Sequence, residues 1–124
     1  MADCEITVTV ETEYLPLQSV PAQQQYAFAY HITIENTGDE PAQLIARHWI
    51  ITDGNQARQE VQGLGVVGQQ PFIAPAESYQ YTSGAVLETK VGTMSGSYHM
   101  VSESGDSFEA PIPTFLLAVP NAVN

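Results

Sequence analysis

The chain has 124 residues, 44% of them hydrophobic, which suits one domain built around a single core. Its basic residues are Arg47, Arg58 and Lys90, set against 14 acidic residues for a net charge of -11. That balance excludes the basic stripe that nucleic acids and anionic membranes require, and it favours cations and basic partners.

No segment approaches the ~20 apolar residues that cross a bilayer, and the first residues show no secretory pattern. Cys4 stands alone, so no intrachain disulfide can form, as suits a reducing compartment. The expected location is the cytoplasm.

Ile6, Val8 and Val10 alternate with Thr7, Thr9 and Glu11, which predicts a half-buried strand whose wet face continues to Glu13. After a polar loop with Pro16 and Pro21, a second strand places Tyr26, Phe28, Tyr30, Ile32 and Ile34 on one face. It ends in the turn cluster Asn36-Thr37-Gly38-Asp39. Leu44 to Thr52 is apolar on both faces, as in a central strand or one at an interface. Asp53-Gly54 predicts a hairpin into a fourth strand from Gln56 to Gln62.

Next comes Gly63-Leu64-Gly65-Val66-Val67-Gly68, a G-x-G-x-x-G run. As a dinucleotide fingerprint it would end a strand and open a helix whose first amides hold pyrophosphate. Pro71 and Pro75 follow too closely for a helix, so the run predicts a loop between strands, with Val66 and Val67 packing inward. Further strands are expected at Tyr79 to Ser83, Thr93 to Val101 and Ser107 to about Ala110. The apolar tail from Ile112 to Pro120 carries Pro113 just after Pro111, which restricts it to a sheet edge. Periodicity therefore predicts an all-β protein, an antiparallel β-sandwich of seven or eight strands, immunoglobulin-like or fibronectin type III-like, spanning residues 1–124 as one domain. Trp49 is placed to pack between its sheets.

Several segments, in order, resemble the bacterial ApaG family: Y-A-F-A-Y (Tyr26 to Tyr30), I-T-I-E-N (Ile32 to Asn36) and R-H-W-I-I-T (Arg47 to Thr52). The likeness runs on through V-Q-G-L-G-V-V-G (Val61 to Gly68), Ile73-Ala74-Pro75, Y-Q-Y-T-S-G-A (Tyr79 to Ala85), Leu87-Glu88-Thr89 and Gly92-Thr93-Met94. The chain departs from the family pattern at Leu64, Ala76, Lys90 and Leu116. The resemblance implies a fibronectin type III-like sandwich without enzymatic activity or cofactor. It further implies a protein-interaction module of the bacterial cytoplasm, with a link to magnesium and cobalt homeostasis.

Candidate sites follow from residue chemistry. Gly63, Gly65 and Gly68 could cradle phosphate in a nest of backbone amides, with Arg58 the basic residue nearest in sequence. Arg47 and Trp49, on one side of the third strand, are residue types enriched in binding hot spots. Glu11 and Glu13 share a strand face that could attract Mg²⁺, but His31, His48 and His99 have no zinc-ligand spacing, so no metal site is assigned. No nucleophile elbow is present, and a triad of His48, Asp53 and a serine is marked by nothing in the sequence. The expected function is a non-catalytic module that binds a protein partner and can self-associate through edge strands. The competing expectation is a small-ligand sensor for phosphate compounds or divalent cations at the glycine loop.

Overall fold

A computed structural model describes residues 5–121. The expectation for Cys4 lies outside them. Two antiparallel sheets are built from eight strands: β1 (Ile6–Tyr14), β2 (Tyr26–Asn36), β3 (Ala42–Asp53), β4 (Arg58–Leu64), β5 (Phe72–Ile73), β6 (Ser78–Leu87), β7 (Val91–Ser102) and β8 (Ser107–Ala118). One sheet has the order β1-β2-β6; the other runs β4-β3-β7-β8, with β5 also pairing β3. The only helical segments among the described residues are 3₁₀ turns at Pro16–Gln18 and Pro21–Gln23. This is the predicted sandwich.

The core lies where the alternation places it. Tyr26, Phe28, Tyr30, Ile32 and Ile34 of β2 are buried against Leu44 and Trp49 of β3, Met94, Tyr98 and Met100 of β7, and Ile112 and Leu117 of β8. Trp49 is 3% exposed and packs edge-on against Tyr30, Tyr98 and Phe115, with ring centroids 5.3, 6.3 and 5.8 Å away. Such pairs add about 0.5–1.5 kcal/mol each beyond the area they bury. The other face of β3, with Ala46, His48, Ile50 and Thr52, stays half-exposed, so this strand is central in its sheet but covered on one side only.

Three local expectations change. The β3–β4 connection is longer than a two-residue Asp-Gly turn. The Asp53 carboxylate accepts the Asn55 and Ala57 amides at 2.8 and 2.9 Å, and Gln56 takes the positive φ of 69°. An aspartate that caps its own turn holds two more residues out of the ladder, so β4 begins at Arg58 rather than Gln56. Second, Phe72–Ile73 forms the short strand β5 within the proline-flanked segment. Third, β8 runs through Pro111 and Pro113 to Ala118, because it is an edge strand paired only with β7 and the missing N–H groups need no partner on its open side.

Asn36 closes β2 from inside. Its side-chain amide donates to the carbonyls of Glu40 and Ile73, and its Oδ1 accepts the Gly38 amide. A buried amide so satisfied fixes the β2–β3 turn against β5.

Candidate functional site

One side of the sandwich is left open between the two sheets, and the candidate residues gather there. β4 and β5 share one edge of β3, pairing residues 46–52 and 42–43. Between them, residues 65–71 leave the sheet as the glycine loop. Its root is fixed by an irregularity in β3 between Leu44 and Ala46. There the Ile45 carbonyl accepts the Gly65 amide at 2.8 Å and the Gln70 side-chain amide at 2.9 Å. The Leu44 amide donates to Pro71. Its tip is a tight hairpin: Val66 and Gln69 exchange both backbone bonds, at 2.8 and 2.9 Å, around Val67 and Gly68, whose φ values are 47° and 79°. Positive φ at both central residues is the type I′ requirement. Val66 is fully buried, but Val67 is 63% exposed, so only the first of the two valines packs inward. A two-residue hairpin turns the second out because its tip has no core beneath it.

Arg47 sits on the same face of β3 as Trp49, at the rim of the core. Its Nη1 donates to the Leu64 and Gly65 carbonyls at 3.0 and 2.9 Å. The guanidinium lies over Gly63, where a Cβ would come within 2.8 Å of Nη2. Arg47 therefore braces the loop from below, and Gly63 leaves it room. Gly65, with φ of 65°, is excluded from bearing a side chain by the Gln69 carbonyl, 2.4 Å from where a Cβ would stand. Arg58, the basic residue nearest the loop in sequence, pairs with Thr52 at the far end of β4.

Beneath the loop a cleft of about 360 Å³ is lined by Tyr30, Arg47, Trp49, Val66, Tyr81 and Ser83, among others. The Tyr81 and Tyr98 hydroxyls hydrogen-bond to each other in the adjoining interior. Burial pushes both phenols above the ordinary tyrosine range, and their mutual bond and the nearby Arg47 act as lesser influences. Tyr81 lines this cleft from the inward face of β6; the sequence reading placed Tyr79 to Ser83 in a strand without singling it out.

The other titratable candidates do not converge. Each histidine pairs with a glutamate on the adjacent strand of its own sheet: His31 with Glu13 at 3.2 Å, His48 with Glu60 at 2.8 Å, and His99 with Glu109 at 2.6 Å. His48 is thereby held on the outer face while Asp53 caps its turn, so the two are not joined in a triad. No group of three or more His, Cys, Asp or Glu is disposed to hold a metal ion among the described residues. No helix there is long and apolar enough to cross a membrane.

The family model described as the ApaG domain matches residues 16–102, from the first 3₁₀ turn to the end of β7. The chain is similar to Protein ApaG of Ralstonia nicotianae, with 58% identity over 124 residues and all of both chains covered. It is equally similar to Protein ApaG of Bordetella pertussis, at 58% over 120 residues, 97% of this chain and 92% of that one. Among solved structures, a Bordetella pertussis protein described as ApaA superposes with a TM-score of 0.94 at 58% identity, covering 98% of each chain. Likeness of that order, in sequence and in backbone path alike, makes this chain a member of the ApaG family.

Proposed function

We propose that the chain is a non-catalytic protein-interaction module of the bacterial cytoplasm, and that the open side of its sandwich receives the partner. The observation that carries this reading is the apolar surface around the braced loop. Leu64 is 74%, Val67 63% and Phe72 73% exposed, and all three stand at the end of β3 where β4 gives way to β5. Single exposed apolar residues are ordinary, but three of them on and beside a loop held by Arg47 and four backbone hydrogen bonds support an interaction surface. Stiffness also lowers the ordering entropy lost on binding. The link to magnesium and cobalt handling then runs through the partner rather than through a metal on this chain.

A photo-crosslinking residue placed at Val67 or Phe72 in cells tests it. Adducts with a discrete polypeptide from these positions, and none from Glu11 on the opposite edge, support the reading; equal labelling from all positions overturns it.

The cleft supports a second reading, a small-ligand sensor. The amides of Val66 and Gln69 bond to each other's carbonyls and that of Gly65 to Ile45, so all three are already engaged. A phosphate compound would instead meet Arg47 and the hydroxyls of Tyr81 and Ser83. Saturable amide shifts at Gly63, Gly65 and Gly68 on titration with pyrophosphate, Mg²⁺ or Co²⁺ would favour it; uniform weak shifts at acidic positions would dismiss it.

A further inference from the structure

The two sheets end in four strand edges, and such edges pair with foreign strands unless charge, proline or cover prevents it. Three of the four are protected. β1 carries the exposed Glu11 and Glu13 and lies close to β8, whose Leu116 carbonyl accepts the Thr12 hydroxyl. β8 contains Pro111 and Pro113. β4 is short, and exposes Arg58 and Glu60. β6 differs from all of them. Its ten residues, Ser78–Leu87, include no charge and no proline. They pair with β2 over their whole length, and no strand among the described residues pairs the other side.

The surroundings of β6 specify an occupant. Exposed Glu77 and Glu88 bracket the strand immediately before and after it, about 37 Å apart along an extended chain. A second copy pairing antiparallel about a twofold axis would set Glu77 of one chain against Glu88 of the other at both ends, and each copy carries a net charge of -11. A basic strand meets the opposite situation. Every second side chain of an added strand would overhang the gap between the sheets, as Tyr79, Tyr81, Ser83 and Ala85 of β6 do. The cleft at Tyr81 and Ser83 has room for such a side chain, and Arg47 within it disfavours a cation there. Basic residues belong at the ends of the strand and neutral ones in the middle.

We propose that β6 is an acceptor edge for strand addition, and that its occupant is an extended segment of a partner protein, neutral through its centre and carrying Lys or Arg at each end. This rests on the interaction-module reading and names the edge and the chemistry of the partner.

The probe is a fluorescein-labelled peptide in which Thr and Val alternate between terminal lysines, followed by anisotropy and by amide hydrogen exchange on the intact protein. Binding should slow exchange at alternate amides of Ser78–Leu87. Replacing the terminal lysines by glutamates turns two attractive exposed pairs into repulsive ones and should weaken binding about tenfold. Thr82→Lys and Val86→Lys, each a charge on an exposed position of β6, should abolish binding with the fold intact by Trp49 fluorescence, whereas Gln62→Lys on β4 should leave it unchanged. Equal binding of the glutamate-ended peptide overturns the proposal. So does protection confined to β4 or residues 64–71, which would still leave the module reading standing. So does absence of peptide binding where crosslinks form at Val67. A dimer that protects β6 without peptide transfers the edge to a second copy and also overturns it.

Discussion

Replacing Val67 by asparagine should stabilise the protein by ~1 kcal/mol. A left-handed conformation costs an L-residue roughly 1–2 kcal/mol, and a β-branched side chain stands at the upper end because both γ-carbons crowd the backbone. Val67 bears that strain at φ 47° in the first central position of its hairpin. Against the relief stands lost burial. With 63% of the residue exposed, little more than a third of its surface is covered, worth roughly 0.5–1 kcal/mol of the 1.5–3 for a fully buried valine. Asparagine tolerates the left-handed region and is preferred in type I′ turns, so relief outweighs loss. Val67→Gly relieves the same strain but loosens the unfolded chain by about 0.5–1 kcal/mol, and should come out near neutral. Urea and thermal unfolding followed through Trp49, the chain's one tryptophan, measure both. The expected rise in Tm for Val67→Asn is about 4 °C at this chain length. If Val67→Asn unfolds earlier than the parent, the side chain is held by packing rather than tolerated under strain, and the reasoning fails. If the loop is the partner surface, the stabilised variant should also bind its partner more weakly.

Four other outcomes follow from the same geometry. Gly65→Ala brings a Cβ against the Gln69 carbonyl at positive φ and should cost about 3 kcal/mol in urea unfolding. Arg47→Met removes a charged donor from two carbonyls and should cost about 2–3 kcal/mol, with amide exchange quickening at residues 65–70 before anywhere in β7. Ala76 bears left-handed strain at φ 70°; Ala76→Gly should raise stability by about 0.5 kcal/mol in the same assay. The stability that the two buried phenols contribute should be intact below pH 10 and fall as the pH rises above it. Tyrosines 81 and 98 ionise near 10 once unfolded but stay protonated in the native core, so above that pH the folded state binds more protons than the unfolded one. Tyr98→Phe should flatten this slope in urea titrations between pH 9 and 11; an unchanged slope would place its origin elsewhere.

The sandwich was legible because its strands obey period two where it matters. The aromatic and branched residues of β2 alternate without a break, and a one-residue slip would turn all of them to solvent. Trp49 and Arg47 could be placed on one side of β3 by the same count, since the irregularity at Ile45 lies before both. What stayed hidden was decided by contacts distant in sequence or by side-chain acceptors. β5 is two residues long, and what holds it is distant in sequence: the β3 edge beyond the end of β4, the Asn36 amide on the Ile73 carbonyl, and the core that receives Ile73. The full length of β8 depends on its being at an edge, which its prolines permit but do not require. The loop's brace was out of reach for another reason. Nothing in the string Arg47-His48-Trp49 says that the guanidinium will cross β4 and grip carbonyls from 64 and 65.

That brace accounts for why a dinucleotide fingerprint occurs where the described residues carry no helix after it. Each glycine answers a separate demand. Gly63 is extended and in the ladder, and it is small so that a guanidinium can lie over it. Gly65 must take a positive φ with a carbonyl pressed where its side chain would be. Gly68 fills the second position of a type I′ hairpin, with open space around it. In the nucleotide motif the same spacing serves a phosphate and the helix that caps it. Here the partners are an arginine, a carbonyl and a hairpin tip, and the amides of Gly65, Val66 and Gln69 bond within the protein. The pattern is therefore the by-product of holding an exposed valine and leucine at the mouth of a cleft, the arrangement on which the proposed interaction surface rests.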